Sequence, residues 1–137
     1  MATSPRRSRA DSGSASVQLV IVVPLLLLVA LLAVQFALAW HARHIAQYAA
    51  QRALAAARAQ DGTAADAHAR ARDSLDALGS RVLIAPKVVA ERTTKQTTVR
   101  IEGTVMRVLP VPGLVLTASG TASGPTERVT TPTGGNP

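Results

Sequence analysis

The chain has 137 residues, 47% of them hydrophobic but only 2% aromatic, with 15 Lys and Arg against 8 Asp and Glu. That is too short for two ordinary globular domains, and one Trp, one Tyr and one Phe exclude a large aromatic core. The absence of cysteine removes disulfides, thiolate metal sites and cysteine nucleophiles together, while a net charge of +7 raises nucleic acid and anionic membrane as partner classes.

Residues 1–16 are rich in Ser and Ala and carry Arg6, Arg7 and Arg9 against Asp11 alone, which predicts a basic, disordered leader. From Leu19 to Val34 sixteen consecutive residues have no polar side chain, within a segment from Val17 to Trp40 that only Gln18 and Gln35 interrupt. As a helix, residues 17–40 are about 36 Å long and exceed the bilayer core of about 30 Å. A protein of this size has no core able to surround such a helix, so the segment is predicted to be transmembrane, with Trp40 at one interface. Three arginines precede it and Arg43, Arg52 and Arg58 follow, so charge alone barely orients it. The short leader favours a cytoplasmic N-terminus and an exported C-terminal domain, because a longer domain translocates largely regardless of its charge.

Within the segment, Pro24 permits a kink, and Ala33 with Ala37 gives a small-xxx-small spacing suited to close helix packing. The Gln35 amide has two readings, a bond to a neighbouring helix or a single amide tolerated near the interface, and the sequence leaves both open.

Residues 41–60 have no Gly or Pro and predict a helix that runs on past the bilayer. Ile45, Ala49, Ala53 and Ala56, with Ala46, Ala50 and Ala57 beside them, form a smooth stripe on it, which predicts close approach of another helix. Asp61-Gly62-Thr63 breaks the helix, and Thr63 and Gly79 bracket a second one through Leu78, with Ala64, Ala67, Ala71, Leu75 and Leu78 on one face. Strands are expected at 81–85, 88–93, 97–109 and 114–122, with Val99, Ile101, Gly103 and Val105 facing inward. Pro110-Val111-Pro112-Gly113 is a turn signal, and a disordered tail is expected over 124–137. The expected fold is α+β: a long helix, a small exported domain over 61–123 and a small antiparallel sheet.

No motif for an enzyme is present: there is no G-x-S-x-G, no phosphate-binding loop and no H-E-x-x-H. His68, Asp73 and Ser74 share one predicted helix at spacings that point them apart. His41 and His44 are neighbours on a helix, but without a third ligand they read as interfacial histidines beside Trp40 rather than a metal pair. No cofactor and no metal site is expected. Of the 15 basic residues 13 are Arg, spread along the chain and without base-stacking aromatics, so nucleic acid is not an expected partner.

The junction Gly13-Ser14-Ala15-Ser16-Val17-Gln18, running into Leu19 to Leu26 with Pro24, resembles the start of TadE-like proteins of Tad (tight adherence) pilus assembly systems. The resemblance continues through the Ala/Arg-rich helix Ala42 to Ala59, and into Val99 to Val105, the 110–114 turn and Ala122 to Glu127. It implies a pilin-like fold, and by position it makes Gly13 the residue before a prepilin-peptidase-like cut and Ser14 the new N-terminus. Such proteins usually have Glu at the position of Gln18, where a carboxylate neutralises a neighbouring subunit's amine; Gln18 cannot supply that charge, which argues against a major filament subunit.

The reading is a non-enzymatic, single-pass inner or cytoplasmic membrane protein, a minor pseudopilin or assembly component of a Tad-type pilus or secretion system. Its partners would be the membrane and other pilin-like or Tad assembly proteins, as homo- or hetero-oligomer, engaged through Gln18, Ala33, Gln35, Ala37, Ala49 and Ala53. The alternative is a secreted binding protein released after Ala39, since Ala37-Leu38-Ala39 matches an A-x-A cleavage site, although the apolar stretch is long for a signal peptide.

Overall fold

A computed structural model describes residues 11–59, 61–79, 81–109, 111–113 and 115–126, with side chains from Val17 onward. The elements in chain order are helix α1 (Asp11–Arg58), helix α2 (Ala64–Leu78) and strands β1 (Leu83–Arg92), β2 (Gln96–Val105) and β3 (Thr117–Pro125). The fold is the expected α+β, with both helices on one face of an antiparallel sheet of order β1-β2-β3. Of the expected leader, residues 1–10 lie outside the described residues, and 11–16 are the first turns of α1. Of the expected tail, 124 and 125 complete β3, and 127–137 lie outside the described residues.

α1 has two parts with opposite surroundings. Every residue from Val17 to Val34 is exposed, and the most apolar 18-residue window is long and apolar enough to cross a membrane with none of it buried. Beyond Trp40 the same helix becomes the centre of the core, where Ala42, Ala46, Ala49, Ala50, Ala53 and Ala57 are fully buried beside Ile45 and Leu54. Alanine favours the helix and adds only a Cβ to its surface, so neighbouring elements come close to the α1 backbone.

α2 has the predicted bounds. Thr63 caps it: its hydroxyl accepts from the Asp66 N–H at 3.2 Å, and the Asp66 carboxylate accepts from the Thr63 N–H at 2.8 Å, a capping box. At the other end the Gly79 N–H donates to the Leu75 carbonyl at 2.6 Å. Ala67, Ala71 and Leu75 are buried as expected, but Leu78 is exposed, because Gly79 takes the place against Ile45 of α1.

The sheet departs from the predicted strand limits in all three strands. A bulge between Ile84 and Lys87, with Ala85 at φ 48°, joins the two expected strands 81–85 and 88–93 into β1. β2 ends at Val105 instead of 109, because the backbone at Met106 and Val108 bonds to Gln35 of α1. β3 begins at Thr117 instead of 114 and runs on to Pro125, where Gly124 still pairs with Thr97. Val99, Ile101 and Val105 face the helices with Leu83, Ala118 and Ala122, while Arg100 and Glu102 pair at 2.6 Å on the solvated face.

β3 lies directly on α1. Its inward residues are Ala118, Gly120, Ala122 and Gly124, and a Cβ on Gly120 would overlap the Ala46 carbonyl carbon and the Gln47 nitrogen. Gly120→Val therefore has to force helix and strand apart, and overpacking of this kind costs about 1–3 kcal/mol or more. The expected outcome is a lowered thermal midpoint and faster proteolysis of the domain, whereas Ser119→Val, on the exposed outward face of the same strand, leaves the core contact intact.

Hydrogen bonds from the Thr63 side chain and backbone hold the Asp66 carboxyl below the usual carboxylate range. A depressed folded-state value means that the cap contributes above the unfolded value and is lost as pH falls through the folded one. Acidification below about pH 4 should thus loosen the start of α2, seen as loss of helical circular dichroism, and Asp66→Asn should flatten that part of the acid limb.

Candidate assembly interface

A helix that joins an apolar stretch to a domain has an inner face, used by its own chain, and an outer face left for partners. Here the two faces are assigned differently from the sequence expectation. Ala49 and Ala53, expected to receive another helix, are fully buried in the core that α1 builds with Ala67, Ala71 and Leu75 of α2 and Val99, Ile101, Ala118 and Ala122 of the sheet. Period and residue size reported a close neighbour correctly, but the neighbour is the chain itself.

Three polar side chains fasten that inner face. The Gln47 amide donates to the Thr121 carbonyl at 3.0 Å and accepts from the Thr121 N–H at 3.2 Å, so it occupies both backbone groups that β3 presents at its free edge there. Arg58 donates from Nε to the Pro125 carbonyl at 2.7 Å. Gln35, the amide in the apolar segment, is buried: Nε2 donates to the Met106 carbonyl at 3.2 Å, and Oε1 accepts from the Val108 N–H at 2.8 Å. Of its two open readings neither holds as stated, since its partner is the loop after β2 in the same chain.

The outer face is exposed. Ala33 and Ala37 flank Gln35 by two residues each, which turns them about 160° away from it at about 100° per residue, and both are exposed with no neighbouring element over them. Phe36, Trp40, His44 and Tyr48 follow at intervals of four and form one exposed ridge that holds the single Phe, Trp and Tyr of the protein. The Trp40 and His44 rings lie 5.1 Å apart, and Arg52 sits over the Tyr48 ring at 5.2 Å while donating to its hydroxyl at 2.8 Å. A shallow groove runs along this ridge beside Arg43, Gln47 and Gln51. Gln18 is exposed near the start of the apolar stretch; Gly13 and Ser14 fall in the first turns of α1, where side chains lie outside the described set.

The remaining candidates are scattered. His41 and His44 are both exposed, and among the described residues no group of three or more His, Cys, Asp and Glu could hold a metal. Ser74 Oγ donates to the Arg70 carbonyl at 2.9 Å on its own helix and is not directed at His68 or Asp73.

Residues 13–58 match the family model described as TadE-like protein. Over its long helix, the chain is similar to TadE-like proteins. The matched span coincides with α1 from its third residue to its last, so the apolar stretch, the Gln35 junction and the alanine face all belong to the TadE-like segment. The resemblance seen in the strands lies beyond the matched residues. No curated protein and no solved structure matches the chain.

Sequence reasoning missed the partners of the TadE-like helix on β3. The signal was a tandem tetrapeptide, Thr117-Ala118-Ser119-Gly120 followed by Thr121-Ala122-Ser123-Gly124, which puts only Ala and Gly on one face of a strand. Gln47 and Arg58 carried no sequence signal, since their bonds go to backbone groups 74 and 67 residues away. Gln35→Leu keeps the side chain's bulk but strands the Val108 N–H, and an unsatisfied buried group costs about 1–3 kcal/mol. The expected outcome is faster hydrogen exchange at Val108 and proteolytic cleavage in residues 106–116, with the exchange rates of β2 little changed.

Proposed function

We propose that this chain is a membrane-anchored, non-enzymatic component of a Tad-type pilus or secretion system, a minor pseudopilin or assembly protein that works through the outer face of α1. The observation that carries the reading is the coincidence of three things on one helix: the TadE-like match over 13–58, the exposed apolar stretch from Val17 to Val34, and a domain that covers only the opposite face. In this reading the N-terminus is cytoplasmic and the domain lies on the exported side of the cytoplasmic (inner) membrane.

The Gln35 contact supports an earlier end for such an anchor. Irregular backbone is not tolerated against lipid tails, and the loop bound to Gln35 brings irregular backbone to that level of α1. The hydrocarbon layer therefore spans Val17 to Val34, about 27 Å of helix against a core of about 30 Å, instead of reaching Trp40. Trp40 then stands about 9 Å beyond Val34, in the headgroup layer that aromatic residues favour.

The same geometry weighs against release after Ala39. That cut falls inside α1, and it would remove Gln35 together with Leu38 and Ala39, which pack against the core.

The protein contains no cysteine, so single introduced cysteines test which face meets partners. In membranes of the native host, a photo-crosslinker on Ala37→Cys should capture other pilin-like proteins or a second copy, and one on the exposed but sheet-side Ser123→Cys should not. Crosslinks from Ser123 with none from Ala37 would contradict the assigned face, and recovery of a mature chain starting at Trp40 would contradict the anchor.

A further inference from the structure

The loop between β2 and β3 has the composition of a buried segment on an exposed turn. Residues 106–116 read Met-Arg-Val-Leu-Pro-Val-Pro-Gly-Leu-Val-Leu, with Arg107 the only polar side chain. Connecting loops ordinarily run over the surface and carry polar turn residues. Here Met106, Val108, Val111 and Val115 are 46%, 37%, 45% and 61% exposed, while Leu109 is buried. Among the described residues outside α1 these are four of the seven exposed large apolar side chains. A fifth, Ile84, pairs with Thr104 at the same end of the sheet.

The backbone of this loop is also unusually short of free donors. The Met106 N–H bonds to the Val82 carbonyl at 2.9 Å, the Val108 N–H to Gln35 at 2.8 Å and the Val111 N–H to the Leu109 carbonyl at 2.9 Å. Pro110 and Pro112 have no N–H, so five of the seven positions from Met106 to Pro112 carry none that needs water. A segment so satisfied enters a low-dielectric layer at little cost.

Its place in the fold supplies the occupant. β3 lies parallel to α1, with Gly120 against Ala46 and Gly124 against Arg58, so β2 runs back toward the apolar stretch and delivers the loop beside Gln35. Arg107 and Arg43 are exposed there, and no carboxylate occurs between Val17 and Ala59 or between Gly103 and Pro125.

We propose that the 106–116 loop is a second membrane contact, inserting Val108, Val111 and Val115 into the interfacial layer of the leaflet from which α1 emerges, with Arg107 reaching back to lipid phosphates. The inference rests on the reading that residues 17–34 of α1 cross a bilayer. Two points of contact fix the tilt of the domain over the membrane, which a single helix crossing leaves free. Apolar insertion with basic residues at the rim is how interfacial segments bind anionic bilayers.

The test uses the full chain reconstituted in vesicles of phosphatidylethanolamine and phosphatidylglycerol, with an environment-sensitive fluorophore on one introduced cysteine at a time: Leu27→Cys in the apolar stretch, Val111→Cys and Val115→Cys in the loop, and Thr94→Cys in the turn at the far end of the sheet. The expected result is a blue-shifted emission at 111 and 115 that shallow nitroxide lipids quench, with Thr94 quenched only by aqueous iodide. If Leu27 is quenched by lipid nitroxides while 111 and 115 behave like Thr94, the loop proposal is overturned and the anchor stands. A blue shift at 111 that lipid nitroxides do not quench means that protein covers the loop, which also overturns it. If Leu27 itself escapes lipid quenching, the anchor reading and the loop proposal fall together.

Discussion

The position of Gly120 cannot hold a side chain because the backbone of α1 already fills that space. This close approach of strand to helix governs much of the structure. It requires Ala and Gly along the inward face of β3 and alanine along the facing side of α1, and both are present. It also brings the free edge of β3 within reach of Gln47, whose amide covers the backbone groups of Thr121. A core of small residues buries little area per side chain. The three side-chain bridges from α1, at Gln35, Gln47 and Arg58, are therefore spaced along the whole contact and fix its register.

The consequence for function is an allocation of surfaces. α1 is at once the apolar stretch and the central element of the domain, which among the described residues is built on one side of it and not hung from it by a linker. The side turned away carries Ala33, Ala37 and the ridge from Phe36 to Tyr48, and it is the surface that a pilin-like neighbour would meet. Gln35 sits where the two regimes join. Its amide satisfies the backbone groups of the loop after β2 at the level where the exposed apolar stretch ends.

Local features were legible in the sequence because their causes are local. Thr63 and Gly79 mark the ends of α2 through hydrogen bonds to residues three and four away, and the alternation at Val99, Ile101 and Val105 names the inward face of β2. The alanine stripe was legible as a contact, but periodicity reports that a face is covered and not by what, so Ala49 and Ala53 were assigned to a partner when α2 and the sheet already cover them. Gln35 was visible as an anomaly, and its partners 71 and 73 residues away were not. The strand limits failed for the same reason: β2 stops where a side chain from α1 takes over its backbone bonds, a tertiary event that strand propensity does not encode.

The central claim is that the second half of α1 is core and not a free helical stalk. Hydrogen exchange on the full chain in detergent or nanodiscs tests it most directly, by comparing the amides from Ile45 to Ala57 with those of Val99 and Ile101 in β2. The account predicts equal protection in both sets and simultaneous loss as urea is added, the mark of one cooperative unit. Faster exchange from Ile45 to Ala57 while β2 stays protected would contradict it, and would return the alanine stripe to a partner.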